Sequence, residues 1–173
     1  MDVDAVAVTG TWWRQTPYGG DPLYRADPPS DGRWQRGDVV GAMYFADSEQ
    51  TAWAEWYRAL AEFAIPPDRQ MPRDLWRWDV RTDHVADLST LDRLAAVGLP
   101  APRPGRAGWM SFQVVGQQLW QAGYAGVQSP SAARPEALVL ALFWLAQEVP
   151  SASPVRPALT YRRPPTPPTG MTT

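Results

Sequence analysis

The sequence of 173 residues contains no cysteine, no lysine and a single histidine, and each absence excludes a class of chemistry. Without cysteine, the chain forms neither disulfides nor thiolate metal sites. Without lysine, it has no Schiff base, no phosphate-loop lysine and no Ser-Lys pair. His84 cannot build a multi-histidine metal site, and its place after an alternating segment is typical of a structural histidine at a strand end. We therefore expect a site without metal that uses arginine, tyrosine, serine, aspartate or glutamate.

Charge and hydropathy exclude two further classes of partner. The net charge is −2, so no basic surplus indicates binding to the phosphates of a nucleic acid. No apolar run approaches the roughly 18 residues that a membrane span requires. The first residues, Met1 to Thr9, lack the basic start of a signal peptide. We expect a cytoplasmic protein that binds neither membranes nor nucleic acid directly.

The composition changes near residue 150. Residues 1–149 have an ordinary globular balance and predict a single domain. Residues 150–173 are rich in Pro, Thr and Ser, which predicts a C-terminal tail that is disordered or loosely docked. Docking as an extended strand and binding to a Pro-recognising partner are the alternatives for this tail.

The patterning predicts an α+β fold: a mostly antiparallel sheet flanked by helices, without the regular alternation of a doubly wound sheet. The continuous apolar run at residues 137–146 predicts a central strand, with a helix as the alternative. The remaining predicted strands are Val3–Trp13, Val39–Phe45, Leu75–Val80 and Gly126–Gln128. The predicted helices are Glu49–Phe63 after an Asp47 or Ser48 cap, Ser89–Val97 capped by Ser89, and Met110–Ala122. The predicted loops are Gln15–Gly32 and Pro100–Gly108.

Three polar residues fall on successive elements in the first third of the chain. Arg33 precedes the strand at 39–45, Tyr44 ends that strand, and Glu55 lies on the next helix. Such elements can fold back on one another and line one cleft with a guanidinium, a phenol and a carboxylate. Each residue also has a structural explanation, such as a pairing of Arg33 with Asp31 or Asp38.

The motifs around these residues resemble the RES domain family, which is named for its Arg, Glu and Ser. The first half carries GRW, MYFADS and TAWAEW, and the second half carries SFQVVGQQL and GYAGVQSPSAARPEALVLALF. The resemblance covers about Trp12 to Phe143. It rests on the ordered set of motifs at matching spacing, since no single motif is highly specific.

The resemblance implies a set of site residues. Arg33 and Glu55 match the family Arg and Glu, Tyr44 matches a Tyr at the end of the intervening strand, and Ser131 matches the family Ser. Ser129 is a nearby competitor and departs from the aromatic residue that the family often has there. Arg14 resembles an early Arg of the family. The implied catalytic residues are Glu55, Arg33 and Ser131, and the implied binding residues are Tyr44, Arg33 and Arg14.

The resemblance also implies a function. RES domains are similar in fold to ADP-ribosyltransferases, and members are toxins paired with an Xre-type antitoxin. NAD is then the substrate, broken down by hydrolysis or phosphorolysis, and no prosthetic group is expected. Protein mono-ADP-ribosylation and a non-catalytic interaction module are the alternatives.

The residues suit this chemistry. The nicotinamide of NAD is already cationic before it leaves, so cleavage needs no general acid but passes through an oxocarbenium-like transition state. Arg33 offers bidentate geometry for the pyrophosphate, and Tyr44 offers a stacking face for the nicotinamide. Glu55 would stabilise the positive charge on the ribose, and Ser131 would orient the ribose or Glu55.

Overall fold

A computed structural model describes residues 3–24, 30–144 and 151–173. The described part contains six strands and three α-helices, with one short 3₁₀ helix at Pro67–Gln70. The strands are β1 (Ala5–Pro17), β2 (Gly41–Ala46), β3 (Arg73–Asp87), β4 (Gly126–Pro130), β5 (Leu138–Trp144) and β6 (Ala152–Tyr161). The helices are α1 (Glu49–Glu62), α2 (Leu91–Ala96) and α3 (Trp109–Gln121).

Five of the strands close into a barrel in the order β1-β2-β5-β4-β3, with β3 pairing back onto β1. All pairings are antiparallel except that of β3 with β4, which confirms the α+β class and the mostly antiparallel sheet. The closure was not predicted, because the alternating pattern indicated only residues 75–80 of the third strand. The observed β3 spans 15 residues, so it pairs with β1 along one edge and reaches both β6 and β4 along the other.

The Pro-rich segment differs from the disordered or loosely docked tail expected for residues 150–173. Residues 152–161 form β6, which pairs with β3 from Ala152 opposite Val80 to Tyr161 opposite Arg73. β6 lies at the end of the strand order, and an edge strand accommodates proline because one row of its N–H groups has no sheet partner. The composition indicated disorder, but pairing with β3 supplies the backbone hydrogen bonds that order residues 152–161. The predicted boundary at 149 and 150 lies outside the described residues.

Helix α1 begins where the sequence predicts. Ser48 is the N-cap, and its hydroxyl accepts a hydrogen bond from the backbone N of Thr51 at 3.1 Å. The buried face of the helix, which includes Trp53 and Trp56, packs against Leu75 of β3. This packing fixes the rotation of α1 and hence the direction of Glu55.

The apolar run at 137–146 gives a strand, β5, between β2 and β4, so the helical alternative is wrong. β5 brings the second half of the chain against β2, with Val139 opposite Ala46 and Ala141 opposite Tyr44. Several boundaries also differ from the prediction, and two of the differences concern the end of β1 and the cap of α2. β1 continues to Pro17 instead of ending at Trp13, and α2 is capped by Thr90 instead of Ser89.

Among the described residues, no helix has the length and apolar character needed to cross a membrane.

Candidate active site

A cavity of about 430 Å³ opens between α1, β2 and residues 30–35. Four of the five predicted site residues line it: Arg14, Arg33, Tyr44 and Glu55. The fifth, Ser131, is fully buried and lies behind Glu55. Residues far apart in the sequence thus meet at one cleft.

The carboxylate of Glu55 is held by three donors. Its Oε1 accepts hydrogen bonds from Oγ of Ser131 at 2.6 Å and from the backbone N of Ala133 at 3.3 Å. Its Oε2 accepts from Nε of Arg58 at 2.8 Å. The side chain of Glu55 keeps 24% exposure, all that remains for contact with a ligand in the cavity.

These contacts keep Glu55 ionised. Burial raises the pKa of the carboxyl, but the charge of Arg58 and the hydrogen bonds from Ser131, Arg58 and Ala133 outweigh it, so that the pKa lies below its usual value. A carboxyl with a lowered pKa is a poor general acid near neutral pH. It is suited to electrostatic stabilisation of a developing positive charge.

Arg33 lines the same cavity as this carboxylate. Its Nη2 donates to the carbonyl of Arg103 at 2.6 Å, and its guanidinium lies 5.1 Å from the ring centre of Phe112. The pairing of Arg33 with Asp31 or Asp38, which was the structural alternative, is not observed. Asp31 accepts from the backbone N of Gly37, and Asp38 pairs with Arg36. Burial, followed by the neighbouring Arg58, lowers the pKa of Arg33.

Tyr44 lines the same cavity as Arg33. Its hydroxyl accepts a hydrogen bond from the backbone N of Trp34 at 2.9 Å. A Cβ added at Gly32 would lie 2.5 Å from the same oxygen, so only glycine fits there. Burial raises the pKa of Tyr44, and the side chain stays neutral. The phenol is therefore fixed in a residue that lines the cavity.

The two candidate serines have separate contacts. Ser131 donates to Glu55 and also accepts from the backbone N of Ala133 and Arg134 at 3.1 and 3.0 Å. The hydroxyl of Ser129 instead accepts from Nε1 of Trp34 at 3.2 Å and is fully buried. Only Ser131 contacts the carboxylate, while Ser129 ties β4 to the residue after Arg33.

Arg14 lines the other end of the cavity. Its guanidinium donates to the carbonyls of Pro22 and Tyr24. Burial and the nearby Arg73 lower its pKa to about 10. Outside the lining, Nε of Arg73 donates to the side chain of Gln15, which does line the cavity.

The family model of the RES domain matches residues 5–164. The chain belongs to the RES domain family. Among solved structures, it is similar to a chain in the crystal structure of the M. tuberculosis MbcT–MbcA toxin–antitoxin complex. The two chains share 26% identity with a TM-score of 0.77, over 91% of this chain and 86% of that one. A search of curated proteins finds no match.

Two charged residues of this RES domain were missed by sequence reasoning. Arg58 lines the cavity and joins Glu55 to Glu62, and the side chains of Arg58 and Glu62 are only 13% and 12% exposed. The signal was present, since the spacing of three and then four residues places the three side chains on one face of α1. The signal was overlooked because charged side chains at this spacing on a helix usually lie on a face exposed to solvent.

The single histidine plays no part in the cavity wall of this RES domain. His84 lies in β3 with a positive φ of 61° and stacks on Tyr124 at 4.6 Å. The described residues hold no group of three side chains able to bind a metal.

Proposed function

We propose that this RES domain cleaves the bond between nicotinamide and ribose in NAD. One observation carries the proposal. An ionised carboxylate, Glu55, is fixed by three donors at the wall of a cavity that Arg33, Arg14 and Tyr44 also line. This is the set of groups that the reaction requires, assembled at one place.

In the proposed step, the bond between C1′ of the ribose and the nicotinamide nitrogen breaks, and its electron pair leaves with the nicotinamide. The nicotinamide is cationic in NAD and departs neutral, so no proton is needed for its release. Positive charge moves to C1′ and the ring oxygen of the ribose, where Glu55 stabilises it or binds a ribose hydroxyl. Water, phosphate or a protein side chain then forms the new bond to C1′.

The arginines account for the rest of the substrate. Arg33 would bind the pyrophosphate by its bidentate face, and Arg14 would bind a more distant phosphate or ribose oxygen. Tyr44 would stack on the nicotinamide ring. Ser131 is placed to orient Glu55, because the buried serine reaches the ligand only through that carboxylate.

The biological setting is part of the same proposal. The similar structure is that of a toxin–antitoxin complex, and this supports a toxin role for the present chain and an antitoxin partner. An Xre-type partner, a relation of the barrel to ADP-ribosyltransferases and action in the cytoplasm follow from the family resemblance.

The purified protein incubated with NAD is expected to release nicotinamide, measured by chromatography with and without phosphate. Faster release with phosphate, together with a phosphorylated ADP-ribose product, indicates phosphorolysis. Release without phosphate indicates hydrolysis, and label transferred from NAD to protein indicates the transferase alternative. If micromolar protein releases no nicotinamide, the proposal fails.

Glu55→Gln distinguishes nicotinamide release at this site from release by a contaminating enzyme. The amide keeps the shape of the side chain but loses the charge, so nicotinamide release should fall about 10²- to 10³-fold while the protein stays folded. Glu136→Gln is the matched control, because Glu136 is an exposed glutamate paired only with Arg134. Equal turnover in the Glu55 variant and the wild type would remove this carboxylate from the mechanism.

A further inference from the structure

Glu62 lies one helical turn beyond Arg58 and contacts both its own helix and the loop before α3. On its own helix, Oε1 accepts from Nη1 of Arg58, the arginine that also binds Glu55. On the loop before α3, the same oxygen accepts from the backbone N of Gly105 at 3.1 Å. Oε2 lies 3.7 Å from Nε of Arg106 in that loop.

The loop that Glu62 holds is also the support of Arg33. The carbonyl of Arg103, two residues before Gly105, accepts from Nη2 of Arg33 at 2.6 Å. One carboxylate is therefore connected to Glu55 through a side chain and to Arg33 through a loop.

We propose that Glu62 is a positioning residue that fixes where Glu55 and Arg33 lie relative to each other in the cavity. Arg58 donates to both Glu55 and Glu62, so the loss of Glu62 removes one of the two carboxylates that fix this nearly buried guanidinium beside Glu55. Small misplacements of reacting groups are costly, up to about 10²-fold for about 1 Å. The inference rests on the proposed function, because it assigns Glu55 to the chemistry and Arg33 to substrate binding.

The charge and the hydrogen-bonding oxygen of Glu62 can be separated by substitution. In Glu62→Gln, the side-chain oxygen still accepts a hydrogen bond from the N–H of Gly105, but the negative charge that pairs with Arg58 and Arg106 is lost. In Glu62→Ala, the charge and the oxygen are both lost. We expect kcat to fall about tenfold or more in both variants. KM for NAD should rise severalfold only in Glu62→Ala, because only that variant releases the loop that supports Arg33.

Glu136→Gln and Glu136→Ala serve as matched controls and should change neither kcat nor KM. Amide hydrogen exchange supplies a second measurement: exchange at Gly105 should accelerate in Glu62→Ala and stay near the wild-type rate in Glu62→Gln. An equal rise of KM in both Glu62 variants, or no change of KM in either, overturns the proposed connection from Glu62 through the loop to Arg33.

These measurements also distinguish a failure of this inference from a failure of the proposed function. A wild-type protein without nicotinamide release defeats the proposed function, and the exchange difference at Gly105 still tests the contact of Glu62 with the loop. An active wild type whose Glu62 variants keep normal kcat defeats the inference alone.

Discussion

At the scale of single residues, Glu55 and Arg58 form a charge pair in the wall of the cavity. Arg58 donates to Oε2 of Glu55 from one side, and Ser131 donates to Oε1 from the other. Because Arg58 is the largest of the influences that favour ionisation of this carboxyl, it decides the pH range in which the proposed reaction runs.

Arg58→Gln should move the acidic limb of kcat/KM to higher pH. In the wild type, the lowered pKa of Glu55 keeps the carboxylate charged below the usual glutamate range, and activity is lost only as pH falls through that lowered value. Without Arg58, burial dominates and the pKa of Glu55 rises. The check is a pH profile of nicotinamide release, and an unmoved limb would contradict the assignment.

The same shift has a stability consequence with a defined sign. Because the pKa of Glu55 is lower in the folded than in the unfolded protein, its contribution to the free energy of unfolding is present above the unfolded pKa. This contribution is lost as pH falls through the folded pKa. Thermal melts of wild type and Glu55→Gln should therefore differ less at strongly acidic pH than near neutrality.

Arg33→Lys tests the bidentate contact with the substrate. Lysine keeps the charge but lacks the planar fork, so the affinity for NAD should fall about tenfold, or about 1.4 kcal/mol. Arg36→Lys is the control, since Arg36 lies three residues away in an exposed pair with Asp38. Calorimetric titration with NAD or ADP-ribose measures the effect, and equal affinity in the two variants would rule out a bidentate phosphate contact.

At the scale of elements, the close approach of α3 to residues 32–35 positions Arg33. A Cβ added at Gly116 of α3 would lie 2.2 Å from the carbonyl oxygen of Trp34, so the helix can come this near only with glycine there. Trp34 is fully buried and stacks edge-on against Phe112 of the same helix, and the ring of Phe112 lies beneath Arg33.

Gly116→Ala should destabilise the protein by about 1–3 kcal/mol, because the added methyl forces the helix away from a backbone carbonyl. Turnover should fall at temperatures where the variant is still folded, since Arg33 moves with Trp34. Gly108→Ala is the matched control, because a Cβ at Gly108 meets nothing within 4 Å. Denaturant unfolding followed by tryptophan fluorescence gives the comparison, and equal stability of the two variants would contradict it.

The sequence predicts an element well when the residues that form it are neighbours in the chain, and poorly when the element depends on residues far away in the sequence. The start of α1 was predictable because Ser48 and the apolar face of the helix lie within one short window. The meeting of Glu55 with Ser131 was indicated only by the family resemblance, because 76 residues separate the two side chains. The contact of Glu62 with the loop before α3 was not predicted, since it depends on where that loop returns to α1.

At the scale of the whole molecule, the last described segment returns to the back of the cavity. Beyond β6, the carbonyl of Pro165 accepts from the hydroxyl of Tyr57 on α1. Thr172 donates through its backbone N to the carbonyl of Ala133 at 2.8 Å and through its hydroxyl to the carbonyl of Ala132 at 3.0 Å. The Pro-rich segment thus supports the turn whose Ala133 N–H reaches Glu55.

Thr172→Val should lower the free energy of unfolding by about 0.5–1.5 kcal/mol, since valine keeps the shape but cannot donate the side-chain hydrogen bond. Turnover should fall modestly, with KM unchanged, because the turn at Ser131–Ala133 contacts only the carboxylate side. Thr169→Val, at an exposed threonine of the same segment, is the control. Identical melting curves and turnover for the two variants would show that the segment is passive.

The closure of the barrel also has a consequence for biosynthesis. β2 at residues 41–46 pairs with β1 but gains its second partner only when β5 at residues 138–144 has been made, and the Ser131 turn shortly precedes β5. Such distant pairings make folding slow compared with chains rich in local contacts. A ribosome-bound fragment that ends before β5 therefore lacks the finished cavity, and the proposed NAD cleavage begins only after residues 131–144 have been translated.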